Sequence, residues 1–155
     1  MTQVVIGDAP LTIDEVIAVA RGEAEVSLGA AARKRIEAAH DVVAGVIARE
    51  QVAYGVTTGF GQLATTHIPV DKVRELQENL VRSHAVGLGA PLSREVVRAA
   101  MTIRLNTMAR GHSGVRLSVA GLLSACINAD IVPWVPFSRL RPSLASRVAG
   151  ASPAA

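Results

Sequence analysis

One tyrosine, Tyr54, opens the glycine-rich run Tyr-Gly-Val-Thr-Thr-Gly-Phe-Gly, which ends at Gly61. A phenol can serve as a general acid or base, and glycines let a backbone adopt positive φ or approach a ligand closely. The surrounding residues 51–70 contain no Asp, Glu, Lys or Arg. Such a segment is typical of a lid that carries a catalytic group. A glycine-rich hairpin whose tyrosine only packs against the rest of the protein has the same composition. The local sequence therefore does not decide between a catalytic lid and a structural hairpin.

The composition indicates one domain with an aliphatic core. The chain has 155 residues, of which 50% are hydrophobic, 19% are charged and only 3% are aromatic. A single cysteine, Cys126, excludes an internal disulfide framework and fits a reducing compartment, so we expect a cytoplasmic protein. We expect no signal peptide and no membrane span, because residues 1–30 lack a basic start before an apolar stretch and no uncharged apolar run reaches 18 residues.

The net charge of +3 comes from the end of the chain. All 13 acidic residues lie at or before Asp130, whereas Arg139, Arg141 and Arg147 follow it. The body of the chain is therefore balanced in charge. A nucleic-acid-binding protein needs a basic face on its folded part, so we expect no nucleic-acid partner.

The elements around the tyrosine segment are predicted to be helical, and the predicted fold class is all-α. Thr12-Ile13-Asp14-Glu15 is a capping box that begins the first helix. The β-branched residues 3–7 are a candidate edge strand, and no strand–helix–strand rhythm follows them. The predicted helices cover residues 12–21, 30–49, 70–83, 93–111 and 114–128.

Apolar residues recur at helical spacing on the last three predicted helices, and we expect these stripes to be buried. They are Val73, Leu76, Leu80 and Val81, then Val97, Met101, Leu105 and Met108, then Val119, Leu122, Leu123, Cys126 and Ile127.

Three segments together resemble the aromatic amino-acid ammonia-lyases and aminomutases, most closely the N-terminal part of the histidine ammonia-lyases. The first is the tyrosine run at 54–61. The second is Leu-Gln-Glu-Asn-Leu-Val-Arg-Ser-His-Ala-Val-Gly at 76–87, and the third is Arg-Leu-Asn-Thr-Met-Ala-Arg-Gly-His-Ser-Gly-Val-Arg at 104–116. The similarity covers residues 10–136. All three segments in this order are strongly specific, and they favour the lid over the packed hairpin.

The resemblance implies a mostly helical homotetramer that eliminates ammonia from an amino acid by removing a β-proton. It implies that Tyr54 is the catalytic base, that His84 binds and orients the substrate, and that Gly61 lies against the ligand. A free tyrosine has a pKa of about 10, so a working base needs nearby cations or helix N-termini that lower its pKa. His112 is read as structural, and His40 and His67 are assigned no role. No metal site is predicted.

The family's electrophile is a methylidene-imidazolone made from an Ala-Ser-Gly tripeptide, and the resemblance ends before this tripeptide. Ala145-Ser146 is followed by Arg147, and Ala151-Ser152 is followed by Pro153, which has no N–H for the cyclisation. We therefore expect residues 1–136 to form an incomplete lyase-like domain. We expect residues 137–155 to form a basic, disordered tail, as a frameshift or an early stop would produce.

The predicted function is that of an N-terminal segment of a histidine ammonia-lyase-like enzyme, which acts on L-histidine to give urocanate. We expect the isolated chain to be inactive and the complete enzyme to be a homo-oligomer, a tetramer. Two alternatives stay open: a tyrosine ammonia-lyase or aminomutase, and a non-catalytic helical oligomerisation fragment.

Overall fold

The protein is mostly helical, which confirms the predicted class. The computed structural model describes residues 2–61, 64–66 and 68–138. Within them lie five α-helices and four short strands that pair two by two. In chain order, the elements are β1 Thr2–Ile6, α1 Ile13–Arg21, β2 Ala24–Leu28, α2 Ala30–Ala48, α3 Val73–His84, β3 Leu88–Pro91, α4 Arg94–Ala109, α5 Leu117–Asn128 and β4 Pro136–Ser138.

The chain begins with a strand–helix–strand unit, so the expectation that no such rhythm follows the first strand was wrong. β1 and β2 pair in parallel, with Ile6 opposite Leu28. The connecting helix α1 begins with the predicted capping box. The Thr12 hydroxyl accepts the Glu15 N–H at 3.2 Å, and the Glu15 carboxylate accepts the Thr12 N–H at 2.8 Å. This backbone bond and the bond that the Thr12 hydroxyl donates to the same carboxylate at 2.8 Å lower the pKa of the Glu15 carboxyl.

The side chain of Asn128, at the end of α5, covers the second edge of β2. Its Oδ1 accepts the Val26 N–H at 2.8 Å, and its Nδ2 donates to the Val26 carbonyl at 2.9 Å. The amide group therefore pairs with the strand backbone as a neighbouring strand would. This contact joins α5 to the sheet.

The core is aliphatic, as the composition predicts, and it lies between the β1–β2 sheet and helices α1, α2, α4 and α5. We call these four helices and this sheet the platform. The buried side chains of the core cluster are Val4, Ile6, Val19, Ala24, Val26, Leu28, Ala32, Ile36, Leu105, Met108, Ala109, Ala120 and Ile127.

Helix α3 lies outside this core, and its predicted buried stripe was wrong. Val73, Leu76 and Leu80 are only half-buried, and Val81 is 68% exposed. On α5, Val119 and Leu122 are likewise exposed. Helical spacing identifies an apolar face but does not identify what packs against it, which explains these errors.

A buried arginine, Arg98 of α4, joins the ends of two other helices. Its guanidinium donates to the carbonyl of Val19 at 2.7 Å and to that of Ile127 at 2.7 Å. It also donates to the Asp130 carboxylate at 2.8 Å, and Asp130 in turn pairs with Arg94. Burial lowers the pKa of Arg98, and the positive charge of Arg94 acts in the same direction. One side chain thus satisfies the carbonyl groups at the C-terminal ends of α1 and α5.

Arg98→Met is expected to lower the free energy of unfolding by about 3 kcal/mol or more. It removes a charged donor from the carbonyls of Val19, Ala20 and Ile127, and it also removes one partner of the Asp130 carboxylate. The matched control is Arg94→Met, which removes an exposed partner of the same carboxylate and is expected to cost less than about 1 kcal/mol. Urea unfolding followed by circular dichroism measures both. Equal losses in the two variants would contradict the role given to Arg98.

Candidate active site

Tyr54 lies on the loop between α2 and α3, with its side chain largely in solvent. It is 66% exposed. Its ring meets the ring of Phe60 edge to face, with the centroids 5.8 Å apart and the planes at 76°. The phenol is therefore accessible to a small molecule, while one side of its ring is supported within the loop.

Two buried threonines shape this loop, and sequence reasoning missed them. Thr57 is 2% exposed and Thr58 is fully buried. Among the described residues, their hydroxyl groups bond only to backbone groups of the same loop. The available signal was the tendency of threonine hydroxyls to bond the local backbone in turns.

Two glycines of the tyrosine run adopt positive φ. Gly55 has φ of 70°, and a Cβ atom there would lie 2.8 Å from Cε1 of Phe60. Gly61 has φ of 58°, and a Cβ atom there would have no neighbour within 4 Å in the part of the chain that the structure describes. Glycine is thus favoured at position 55 by the positive φ and by the nearby Phe60 ring, whereas at position 61 it is favoured by the positive φ only. Contact of Gly61 with a ligand stays a prediction.

His84 is the last residue of α3, and its ring is oriented by the helix end. Its Nδ1 lies 2.9 Å from the Leu80 carbonyl and 3.0 Å from the Ser83 hydroxyl. Since a carbonyl only accepts, the proton of the neutral ring is assigned to Nδ1. Nε2 is then left as a hydrogen-bond acceptor, and the His84 side chain is exposed.

A shallow groove of about 400 Å³ runs beside His84, and it is lined by His84, Ala85, Val86, Gly87, Trp134, Val135 and Pro136. The pairing of β3 with β4 brings these two chain segments together. At Gly87 a Cβ atom would overlap Pro136, so the glycine permits the close approach. Sequence reasoning missed Trp134 and Pro136 as parts of a groove, because the two segments are far apart in the chain.

The structure does not place Tyr54 or Gly61 in the lining of the groove beside His84. The predicted site residues therefore lie on two separate features, the loop before α3 and the groove after it.

Among the other histidines, the His40 ring bonds the Gly114 carbonyl at 3.1 Å. His112 is exposed in the turn between α4 and α5. His67 and the two Ala-Ser pairs lie outside the described residues.

The described residues contain no group of three His, Cys, Asp or Glu side chains that could hold a metal ion. In the same part of the chain, no helix combines the length and apolar character needed to cross a bilayer.

Comparison with known proteins identifies a family. Residues 11–138 match the model of the aromatic amino acid lyases. The chain is 47% identical over 135 residues to the histidine ammonia-lyase of Streptomyces griseus, covering 87% of this chain and 26% of that protein. The chain thus spans about a quarter of the length of the curated relatives it matches.

Two solved structures share the fold. Histidine ammonia-lyase from Trypanosoma cruzi superposes with a TM-score of 0.82 at 34% identity, covering 90% of this chain and 27% of that one. Tyrosine aminomutase from Streptomyces globisporus superposes with a TM-score of 0.82 at 34% identity, covering 87% of this chain and 26% of that one.

Gly55→Ala is expected to destabilise the chain more than Gly61→Ala does. The second substitution carries only the cost of a left-handed alanine, about 1 kcal/mol. The first adds an overlap with Phe60, which raises the loss by about 1 kcal/mol more. Urea unfolding compares the two variants directly. Equal losses would show that the Phe60 ring is not held against Gly55.

Proposed function

The chain belongs to the aromatic amino acid lyase family, and from this premise we propose that it is the N-terminal part of an enzyme that converts L-histidine to urocanate and ammonia. The observation that carries the proposal is the 47% identity to a histidine ammonia-lyase over 135 residues. A match of this length within 155 residues contains residues 21–135, and so it includes most of the platform, the tyrosine loop and His84.

We assign to Tyr54 the removal of the β-proton. The C–H bond breaks, the proton moves to the phenolate oxygen, and the departing amino group leaves a carbon–carbon double bond. Two properties of the loop support the assignment. The phenol is exposed to solvent, and the backbone around it is held by internal hydrogen bonds. A base needs both access and a fixed position.

We assign substrate orientation to His84. With the Nδ1 proton directed to the Leu80 carbonyl, Nε2 can accept a hydrogen bond from an N–H or O–H group of the substrate. The neighbouring groove has Trp134 in its lining, and an indole side chain suits contact with an aromatic substrate. Gly61 presents open space above its Cα, which supports a close approach of ligand to backbone there.

The residues of this chain do not fit the family's methylidene-imidazolone. None of the 155 residues lies in an Ala-Ser-Gly sequence, and the two Ala-Ser pairs continue with arginine or proline. Cleavage of the carbon–nitrogen bond is therefore assigned to no residue of this chain. We propose that these 155 residues by themselves release no ammonia.

We also propose that the active protein is a homo-oligomer. Exposed apolar side chains support this, above all Val81 on α3 at 68% and Leu122 on α5 at 67%. Apolar surface of this kind is commonly covered by another subunit.

The division into residues 1–136 and a separate tail stays a prediction, as does the cytoplasmic location.

A tyrosine-specific lyase or aminomutase is the second candidate. The tyrosine aminomutase and the histidine ammonia-lyase structures are equally similar to this chain, each at 34% identity and a TM-score of 0.82. The higher identity to the Streptomyces griseus protein favours histidine.

A hybrid chain tests the role of Tyr54. Residues 1–136 are joined to the remaining part of the Streptomyces griseus histidine ammonia-lyase, and urocanate is followed by its ultraviolet absorption. In this hybrid, Tyr54→Phe is expected to lower kcat by about 10³-fold, because the base is lost while the ring stays. Val52→Ala, an exposed change in the same loop, is the control and should leave kcat nearly unchanged. Near-normal turnover by the Tyr54→Phe hybrid would remove Tyr54 from the base role.

The same hybrid tests His84. His84→Leu is expected to change the ratio of kcat/KM among histidine, tyrosine and phenylalanine by about tenfold or more, since one hydrogen bond to the substrate is lost. His112→Leu is the matched control, because His112 is exposed in a turn to which no role is assigned. An unchanged preference in the His84→Leu hybrid would refute the assignment.

A further inference from the structure

We propose that Thr57 and Thr58 are positioning residues for Tyr54, because their hydroxyls accept the backbone N–H groups of the residues on either side of it, Ala53 and Gly55. The inference rests on the proposed role of Tyr54 as the base. It concerns side chains that touch neither the phenol nor any substrate, and it explains how an exposed tyrosine on a glycine-rich loop keeps one position.

Thr57 holds the residue before the tyrosine. Its Oγ1 accepts the N–H of Ala53 at 2.9 Å and donates to the carbonyl of Gln51 at 2.6 Å. The backbone N–H of Thr57 also bonds the Ala53 carbonyl at 3.0 Å. Ala53 is thus bonded through both its N–H and its carbonyl to the same threonine, which closes a tight turn around Tyr54.

Thr58 holds the residue after the tyrosine. Its Oγ1 accepts the N–H of Gly55 at 3.2 Å and donates to the carbonyl of Gly59 at 3.1 Å. Gly55 has a positive φ, and a glycine adopts positive and negative φ about equally readily. The backbone of Gly55 alone would therefore not fix one conformation, and the bond to the Thr58 hydroxyl does so.

Burial makes both hydroxyls effective. The two side chains are 2% and 0% exposed, so water does not compete for their bonds, and the β-branched shape restricts χ1. Thr57 is itself tied to the returning part of the loop, because the Ile68 N–H bonds the Thr57 carbonyl at 2.9 Å. The tyrosine side chain projects outward from this closed hydrogen-bonded frame.

Tyr54 is the only tyrosine in the chain, so incorporation of 3-fluorotyrosine gives a ¹⁹F spectrum of this residue alone. In the unaltered chain, the signal should be displaced from its position in urea because the Phe60 ring lies beside it. Thr57→Val and Thr58→Val keep the shape and remove the hydroxyl. Each is expected to lose half or more of this displacement or to split the signal. Thr57→Ser and Thr58→Ser, which keep the hydroxyl, should retain it.

Thr102→Val is the matched control. Thr102 is also fully buried, but its hydroxyl bonds the Arg98 carbonyl within α4. This variant should keep the wild-type ¹⁹F signal. The proposal is overturned if folded Thr57→Val and Thr58→Val chains keep the wild-type displacement, or if Thr102→Val reduces it equally.

If circular dichroism shows that a valine variant does not fold, a measurement on the unaltered chain tests the role of the threonines instead. Amide hydrogen exchange at Ala53 and Gly55 should be slowed by about tenfold or more relative to the unfolded chain. Exchange at the unfolded rate would overturn the proposal. A negative result in the ¹⁹F or the hydrogen-exchange experiment would not affect the proposed role of Tyr54 as the base. Near-normal turnover by the Tyr54→Phe hybrid would remove that role but would not affect the threonine bonds.

Discussion

The buried guanidinium of Arg98 is the interaction on which the arrangement of the platform depends. The ends of α1 and α5 meet at α4 with their last carbonyl groups directed inward, and Arg98 bonds the carbonyls of Val19 and Ile127. Without Arg98, those carbonyls would keep only their bonds to the backbone N–H groups of Gly22 and Asp130, at 3.1 and 3.2 Å. They would lose their bonds to a charged donor, which are stronger than bonds to a neutral one. The pairing of α5 with the sheet through Asn128 follows from the same docking of α5.

The residues assigned to chemistry lie on the less buried periphery of this platform. The long helix α2 leads into the tyrosine loop, and α3 ends at His84 with no fully buried side chain of its own. The packed core and the buried Arg98 therefore support the fold, while hydrogen bonds within single segments support the site. In the tyrosine loop these bonds come from two threonine hydroxyls, and at His84 they come from the last turn of the helix. Exposed catalytic groups on a well-packed scaffold are common among enzymes.

Local rules account for what the sequence predicts well. The Thr12 cap and the glycine after α4 act within a few residues, and the helix ends near them were predicted closely; α5 begins at Leu117, three residues later than predicted. The tyrosine run was identified because its residue types are unusual together. Pairings between distant segments were missed. These include β1 with β2, β3 with β4, and the contact of Gly87 with Pro136. Periodicity carries no information on such partners, which is also why the α3 stripe was assigned to the core.

A crystal structure of the hybrid enzyme with a bound, unreactive histidine analogue would show whether the threonine-held loop brings the Tyr54 oxygen to the substrate. We expect that oxygen about 3–3.5 Å from the β-carbon of the analogue, the separation of a reacting pair. A complex in which the Tyr54 ring stays directed to solvent, while another side chain meets the β-carbon, would contradict the account.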